Sequence, residues 1–374
     1  MKIINAKIYT MAGPVIENGY VEYNEKILSV GDMKDTVFSE AFDAKGAMLF
    51  PGFVDAHTHL GMCEDSLGFE GDDLNEISDP CTPHLRAVDA VNTFDRCFDE
   101  ALFAGITTVV TGPGSANPVA GQAAAVKTYG KCIDDMTIKA PAAMKFALGE
   151  NPKTVYNEKK IAPGTRMATA AIIREQLIRT KEYIAKRASD NSCDYDIRLE
   201  ALALLFNHNL SAHFHAHRAD DIFTAIRIAE EFNLDYAIIH CTQGYQISKA
   251  LSDKGVRVMA GPLISDRSKP ELKEATPASP GILSREGVKT AIVTDHPVVP
   301  VQYLAVCAGL AVREGMDYYE ALKAITVIPA EIFGISDRVG SIEAGKDADM
   351  VLFDKDPLTI AAKPLMVIAG GVII

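Results

Sequence analysis

The chain has 374 residues, with 37 basic against 50 acidic side chains and a formal charge of −13. That acid excess excludes a protein that grips nucleic-acid phosphates through clustered Lys and Arg. Seven cysteines with no C-x-x-C pair argue for reduced thiols in the cytoplasm, and a chain this long folds without needing a disulfide or a structural metal. Met1-Lys2-Ile3-Ile4-Asn5 has no apolar signal core. The longest uncharged run, 101–126, is broken by Gly112-Pro113-Gly114-Ser115-Ala116-Asn117-Pro118, so it reads as a strand and a loop and no membrane association is expected. The charge is uneven: between Gly61 and Glu100 eleven acids face only Arg86 and Arg96, a net −9 of the total −13.

Residues 1–50 read as short strands, with 20–23 alternating, a turn at 24–26 and a second strand at 27–30. Strand-like runs follow at 53–56, 106–110, 123–126, 143–147, 210–214, 236–239, 256–259 and 290–293. Helical spacing falls between them, in Val91, Phe94, Phe98, Ala101 and Leu102, and in Ile222, Ala225, Ile226, Ala229 and Phe232. Alternation over nearly 290 residues predicts a parallel α/β sheet, and eight strands suit a closed (β/α)8 TIM-type barrel. The other end returns to strand texture at 349–354 and 367–374. Neither end alone has enough strands to bury a face, so a small β-sandwich domain built from both is expected. The predicted division is 1–50 plus 340–374 for that domain and 51–339 for the barrel.

The histidines sit where strands end. His57 and His59 follow the first barrel strand, His213, His215 and His217 end another, His240 ends a third and Asp295 follows a fourth. In a parallel barrel these ends share one mouth. His-Thr-His keeps two rings on one face, where both can bind one divalent ion. His213, His215 and His217 also share a face, and spacing alone does not choose among them.

Pro51-Gly52-Phe53-Val54-Asp55-Ala56-His57-Thr58-His59 resembles the opening metal motif of the amidohydrolase superfamily. Phe214-His215-Ala216-His217, Ile239-His240, Thr294-Asp295 and the stretch from Gly340 to Asp349 continue that resemblance in order, over essentially the whole chain. It is nearest the imidazolonepropionase-like branch, which includes prolidase-type peptidases. The resemblance implies one or two divalent ions, with zinc the expected metal. His57, His59 and Asp295 would hold one ion and His215 and His240 a second, leaving His217 beside them toward the substrate. It also implies a bridging group on a central strand. Lys145, carboxylated, resembles that position, and a lysine within an apolar strand is costly unless its charge is paired or removed. Glu150 competes for the role, but the two have opposite strand parity, so a regular strand points at most one at the ions.

The segment 75–86 after the first motif suits a substrate lid, with His84 and Arg86 as candidates for a substrate carboxylate or carbonyl. The glycines of 111–115 lack a phosphate-loop ending, so nucleotide binding is not expected.

The function so implied is hydrolysis of a C–N bond, amide or peptide-like. Metal-activated hydroxide would attack, Asp295 would shuttle the proton, and His240 would help to hold the carbonyl oxygen. Deaminating and imidazolone-opening members often carry an acid shortly after the strand-five histidine. Here the stretch is His215-Ala216-His217-Arg218, which favours an open-chain amide or dipeptide-like small molecule over ring opening of a cyclic amide. A retired, metal-binding barrel and an acidic binding protein acting through 61–100 are the non-enzymatic alternatives. A homo-oligomer is compatible with such barrels.

Overall fold

Eight short apolar, β-branched runs form one curled sheet: β1 (Phe53–Thr58), β2 (Ile106–Thr111), β3 (Val119–Lys127), β4 (Thr137–Ala147), β5 (Ser211–Ala216), β6 (Tyr236–His240), β7 (Arg257–Ala260) and β8 (Lys289–Ile292). The computed structural model describes residues 1–34, 40–65, 67–189 and 193–374. The strands hydrogen-bond in chain order from β1 to β8. Past β8 the chain returns to β1: Asp295 N donates to His57 O at 3.1 Å, and His59 N donates to His296 O at 2.9 Å. The result is a nearly closed barrel. Along β1, β2 and β5 every residue is buried, as expected of strands covered on both faces.

One strand departs from the expected parallel sheet. β1 and β2 run parallel, as do all neighbours from β4 to β8. β3 is antiparallel to both β2 and β4. The cause is connection length. Only residues 112–118 join β2 to β3 and only 128–136 join β3 to β4, whereas a parallel crossover needs about a dozen residues or more. The long connection comes next, with helices Glu150–Glu158, Arg166–Ser189 and Ile197–Ala203 between β4 and β5.

Elsewhere the helices cover the barrel as the periodicity predicts. Ala219–Glu231 buries Ile222, Ala225, Ile226 and Ala229, and Asp220 and Asp221 favour its N-terminal dipole. The first expected helix is shorter than its pattern. It spans Cys97–Phe103, so Val91 and Phe94 precede it and Phe94 is exposed. Among the described residues no helix is long and apolar enough to cross a membrane.

Both chain ends join one eight-stranded sheet, in which Met350–Phe353 pairs antiparallel with Met48–Pro51. Side chains alternate across that seam. Met350 and Leu352 pack with Ile3, Ile8, Val21 and Leu49, while Val351 and Phe353 turn to the barrel side with Phe50, Phe53 and Ala101. The sheet passes into β1 through Gly52, where a Cβ would stand 2.1 Å from Thr107 Oγ1. Only glycine fits there.

Buried charge locks the two parts together. Lys127, at the end of β3, reaches Asp347 at 2.9 Å and Asp349 at 2.5 Å. Tyr129 donates to Asp349, and Lys26 and Arg338 also pair with Asp347. Burial opposes ionisation of Asp347, but the Lys127 charge and the Lys127 and Lys26 bonds outweigh it and hold the carboxyl at about 2. Removing one partner of a buried pair strands the other. Lys127→Met is therefore expected to cost about 3–5 kcal/mol in urea unfolding; a loss below about 1 kcal/mol, typical of surface pairs, would contradict the role assigned to this cluster.

Candidate metal centre at the barrel mouth

β1 places His57 in its last turn of pleat and His59 just beyond, β4 carries Lys145, β5 carries His213 and His215, and β6 ends on His240. All are buried, together with His217. Asp295 follows β8 and closes the ring, 3.2 Å from His57 Nε2 and 3.5 Å from His59 Nε2. His240 (φ 69°), Cys241 (φ 53°) and Asp295 (φ 55°) adopt the left-handed backbone region, which costs non-glycine residues about 1–3 kcal/mol each. That strain falls at two of the site's own residues.

Carbonyl oxygens set the tautomers. His59 Nδ1 lies 2.6 Å from Gly112 O and His240 Nδ1 2.7 Å from Gly261 O. A carbonyl only accepts, so both rings carry a proton on Nδ1 and turn Nε2 into the mouth. Beneath them Asp55 accepts the Thr294 hydroxyl at 2.5 Å, and also the amides of Thr294 and His57. It is wholly buried, and burial pushes its carboxyl up to about 7 against those bonds. Asp55 ties β1 to the chain after β8 under the mouth. It lies inside the first motif, two residues before His57, yet motif reading alone gave it no part.

The donors converge in two groups that share His240. His57, His240 and Asp295 form one, and His215, His217 and His240 the other, with all donor atoms of each within 4.8 Å of one another. Lys145 Nζ stands 3.3 Å from His57 Nε2. The six residues expected to hold metal are thus brought together, and His217, expected only beside them, joins the second group.

Others fall elsewhere. Glu150 lies beyond the end of β4, at the start of helix Glu150–Glu158, and its amide donates to Glu271 Oε2 at 3.0 Å. His84 and Arg86 line a separate cavity of about 1070 Å³ that none of the six borders; Pro113 alone edges both this cavity and the inner space beside His57 and Lys145. Segment 81–86 lies along β3, bridging Cys81 to Val119 and Arg86 to Gln122. It covers a strand followed only by the one-turn helix Ile133–Met136. Arg86 is exposed and forked onto Asp89 at 2.8 and 2.9 Å. Glu271 also went unread in the sequence, although its loop follows β7 at the same mouth.

Burial holds the imidazoles neutral. His57 and His217 are pushed down to about 3, and His213, His215 and His240 well below the ordinary histidine value. Burial likewise lowers Lys145 to about 8, with Asp295 opposing. Asp295 goes the other way from burial. His240 and the bonds from His57 and His59 overcome desolvation and keep it well below the usual carboxylate range. Buried His215 Nδ1 and Glu271 Oε1 have no hydrogen-bond partner. Imidazoles gathered around a carboxylate, with buried polar atoms left unpaired, fit a divalent cation.

Residues 48–374 match the amidohydrolase family model. Among curated proteins, amidohydrolase tasK of Hapsidospora irregularis is 29% identical over 88% of this chain, which spans only 36% of that protein's length. Imidazolonepropionase of Sphingopyxis alaskensis is 22% identical, covering 94% of this chain and 90% of its own. Among solved structures, an amidohydrolase from Thermotoga maritima MSB8 superposes with TM-score 0.96 at 40% identity, covering 100% of this chain and 99% of the other. A prolidase complexed with N-methylphosphonate-L-proline has TM-score 0.60 at 18% identity, covering 100% and 98%. With the strand-end histidines and Asp295 in one mouth, the chain belongs to the amidohydrolase family.

Proposed function

We propose that the chain hydrolyses an open-chain amide or peptide-like C–N bond of a small molecule, with residues 51–339 as the catalytic barrel and 1–50 with 340–374 as its bracing β-domain. The observation that carries this reading is Asp295: largely enclosed at the mouth and within 3.2–3.5 Å of both histidines of the first motif. His57, His59 and Asp295 would hold one divalent ion and His215 and His240 a second. Neutral imidazoles with a carboxylate suit zinc. Such an ion, when bound, lowers the pKa of water toward neutrality and polarises a carbonyl.

The chain's own residues supply the rest. Asp295 accepts the proton of the attacking water and passes it to the departing nitrogen. His240 cannot also donate to the substrate carbonyl, because its one proton is given to Gly261 O. That bond favours ligation as the role of His240. Lys145, wedged beside His57 and lowered to about 8, reaches the neutral amine that carbamate formation needs more readily than an ordinary lysine. Glu150 lies outside the strand and supports no bridging role.

Prolidase among the structural neighbours favours a dipeptide-like substrate, as does the lack of an acid directly after His215. A second reading, opening of a cyclic amide, draws on the likeness to imidazolonepropionase across 90% of that protein. A panel of N-acyl amino acids, dipeptides and small lactams separates the two by which bond opens.

Asp295→Asn is expected to lower kcat by about 100- to 10,000-fold while leaving the melting temperature near wild type. Full turnover in that variant would remove Asp295 as the proton carrier. A second expectation concerns pH. Five buried histidines titrate lower in the folded chain than the unfolded value of about 6.5. Below that value the unfolded chain binds more protons, so this stability is present above about 6.5 and drains as pH falls toward about 3. Asp55, raised to about 7, and Asp221 and Glu271, also raised by burial, act oppositely, but they are three groups against five. Metal-free protein should therefore melt at progressively lower temperature from about pH 7 to about pH 5; a flat or rising profile would contradict neutral burial of the imidazoles.

A further inference from the structure

The resemblance supplies two imidazoles for the second ion, from β5 and β6. The geometry points to more: we infer that His217 is a third imidazole of that site and that the buried carboxylate of Glu271 balances its charge. The inference rests on the metal-dependent reading above.

His217 follows β5 directly, and its ring lies against both of the others, with centroids 4.7 Å from His215 and 4.6 Å from His240. The donor atoms of all three lie within 4.8 Å of one another. The chain after β6 orients this ring. Thr242 Oγ1 is 2.7 Å from His217 Nδ1, and Gln243 N donates to His217 O at 2.8 Å. With Nδ1 engaged, Nε2 is the free nitrogen. A ligating imidazole is commonly oriented in this way, through its other nitrogen.

Glu271 faces that nitrogen from the loop after β7. The residue is 1% exposed. Its Oε2 accepts the Glu150 amide, while Oε1 has no hydrogen-bond partner and sits 3.7 Å from His217 Nε2, beyond hydrogen-bond range. The nearby Lys269 ammonium donates to Asn151 Oδ1 at 2.7 Å instead. An unpaired buried carboxylate oxygen is costly. Three neutral imidazoles leave the full charge of a divalent cation uncompensated, and an anion at this position answers both needs. A purely substrate-binding His217 accounts for neither the unpaired oxygen nor a ring that is 4% exposed.

The test is zinc stoichiometry and affinity of the full chain, by elemental analysis and competition with a chromophoric chelator. Wild type is compared with His217→Asn and Glu271→Gln. Asn retains a group near Nδ1 for Thr242, and Gln retains an acceptor for the Glu150 amide, so at least one variant should keep the wild-type circular dichroism. The expected result is one ion weakened by about 10- to 100-fold in each folded variant, with His217→Asn also shifting the visible absorption of cobalt-loaded protein. Wild-type stoichiometry, affinity and cobalt spectrum in the folded variants would overturn the inference. Zinc held by wild type and weakened in the variants supports it even if no amide is cleaved, so this inference and the hydrolytic reading fail separately. No zinc in the wild-type chain would overturn both.

Discussion

The seam between the first and last barrel strands is the constraint on which the site depends. Two main-chain bonds, Asp295 to His57 and His59 to His296, fix Asp295 against the His-Thr-His motif. Below them Asp55, fully buried, takes the Thr294 hydroxyl and both flanking amides. These contacts join residues about 240 positions apart, so Asp295 and the histidines of the first motif meet only when the sheet curls shut. Left-handed backbone at Asp295 and His240 is sustained by the same closure. Order at the mouth is thus a property of the whole barrel.

The reversed third strand shapes the other side of the molecule. A meander from β2 to β4 leaves room only for the one-turn helix Ile133–Met136, and segment 81–86 lies over β3 in place of longer helices. This draws His84 and Arg86 to a cavity apart from the histidines. The same strand ends in Lys127, whose paired aspartates come from the last part of the chain. One short connection therefore both displaces the expected lid residues and creates the anchor between barrel and terminal sheet. The acid excess after His59 is also clarified: Asp72, Asp73, Glu76 and Asp89 line that outer cavity and not the space among the histidines.

Much of this could be read from the residues alone. Every expected barrel strand is present, since short apolar runs bounded by turns carry strong local signal. His57, His59, Lys145, His215, His240 and Asp295 converge because strand ends share a mouth whatever the loops do. Pairing of the two chain ends was likewise visible in their matching texture. Strand direction was not, because periodicity is the same for parallel and antiparallel strands; only the lengths of 112–118 and 128–136 carried that information. Glu271 and Asp55 escaped notice for a different reason. A carboxylate's burial and unpaired state depend on tertiary neighbours, as with Glu271 against the Glu150 amide and His217. His217 shows the same limit, since its role turns on Thr242, which lies one strand away.

Anomalous diffraction at the zinc edge, from crystals of the zinc-loaded chain, tests the central claim most directly. The account predicts peaks at the mouth within ligand reach of His57, His59 and Asp295, and of His215 and His240. Zinc found only on the surface acids between Gly61 and Glu100, with none among the strand-end histidines, would contradict it.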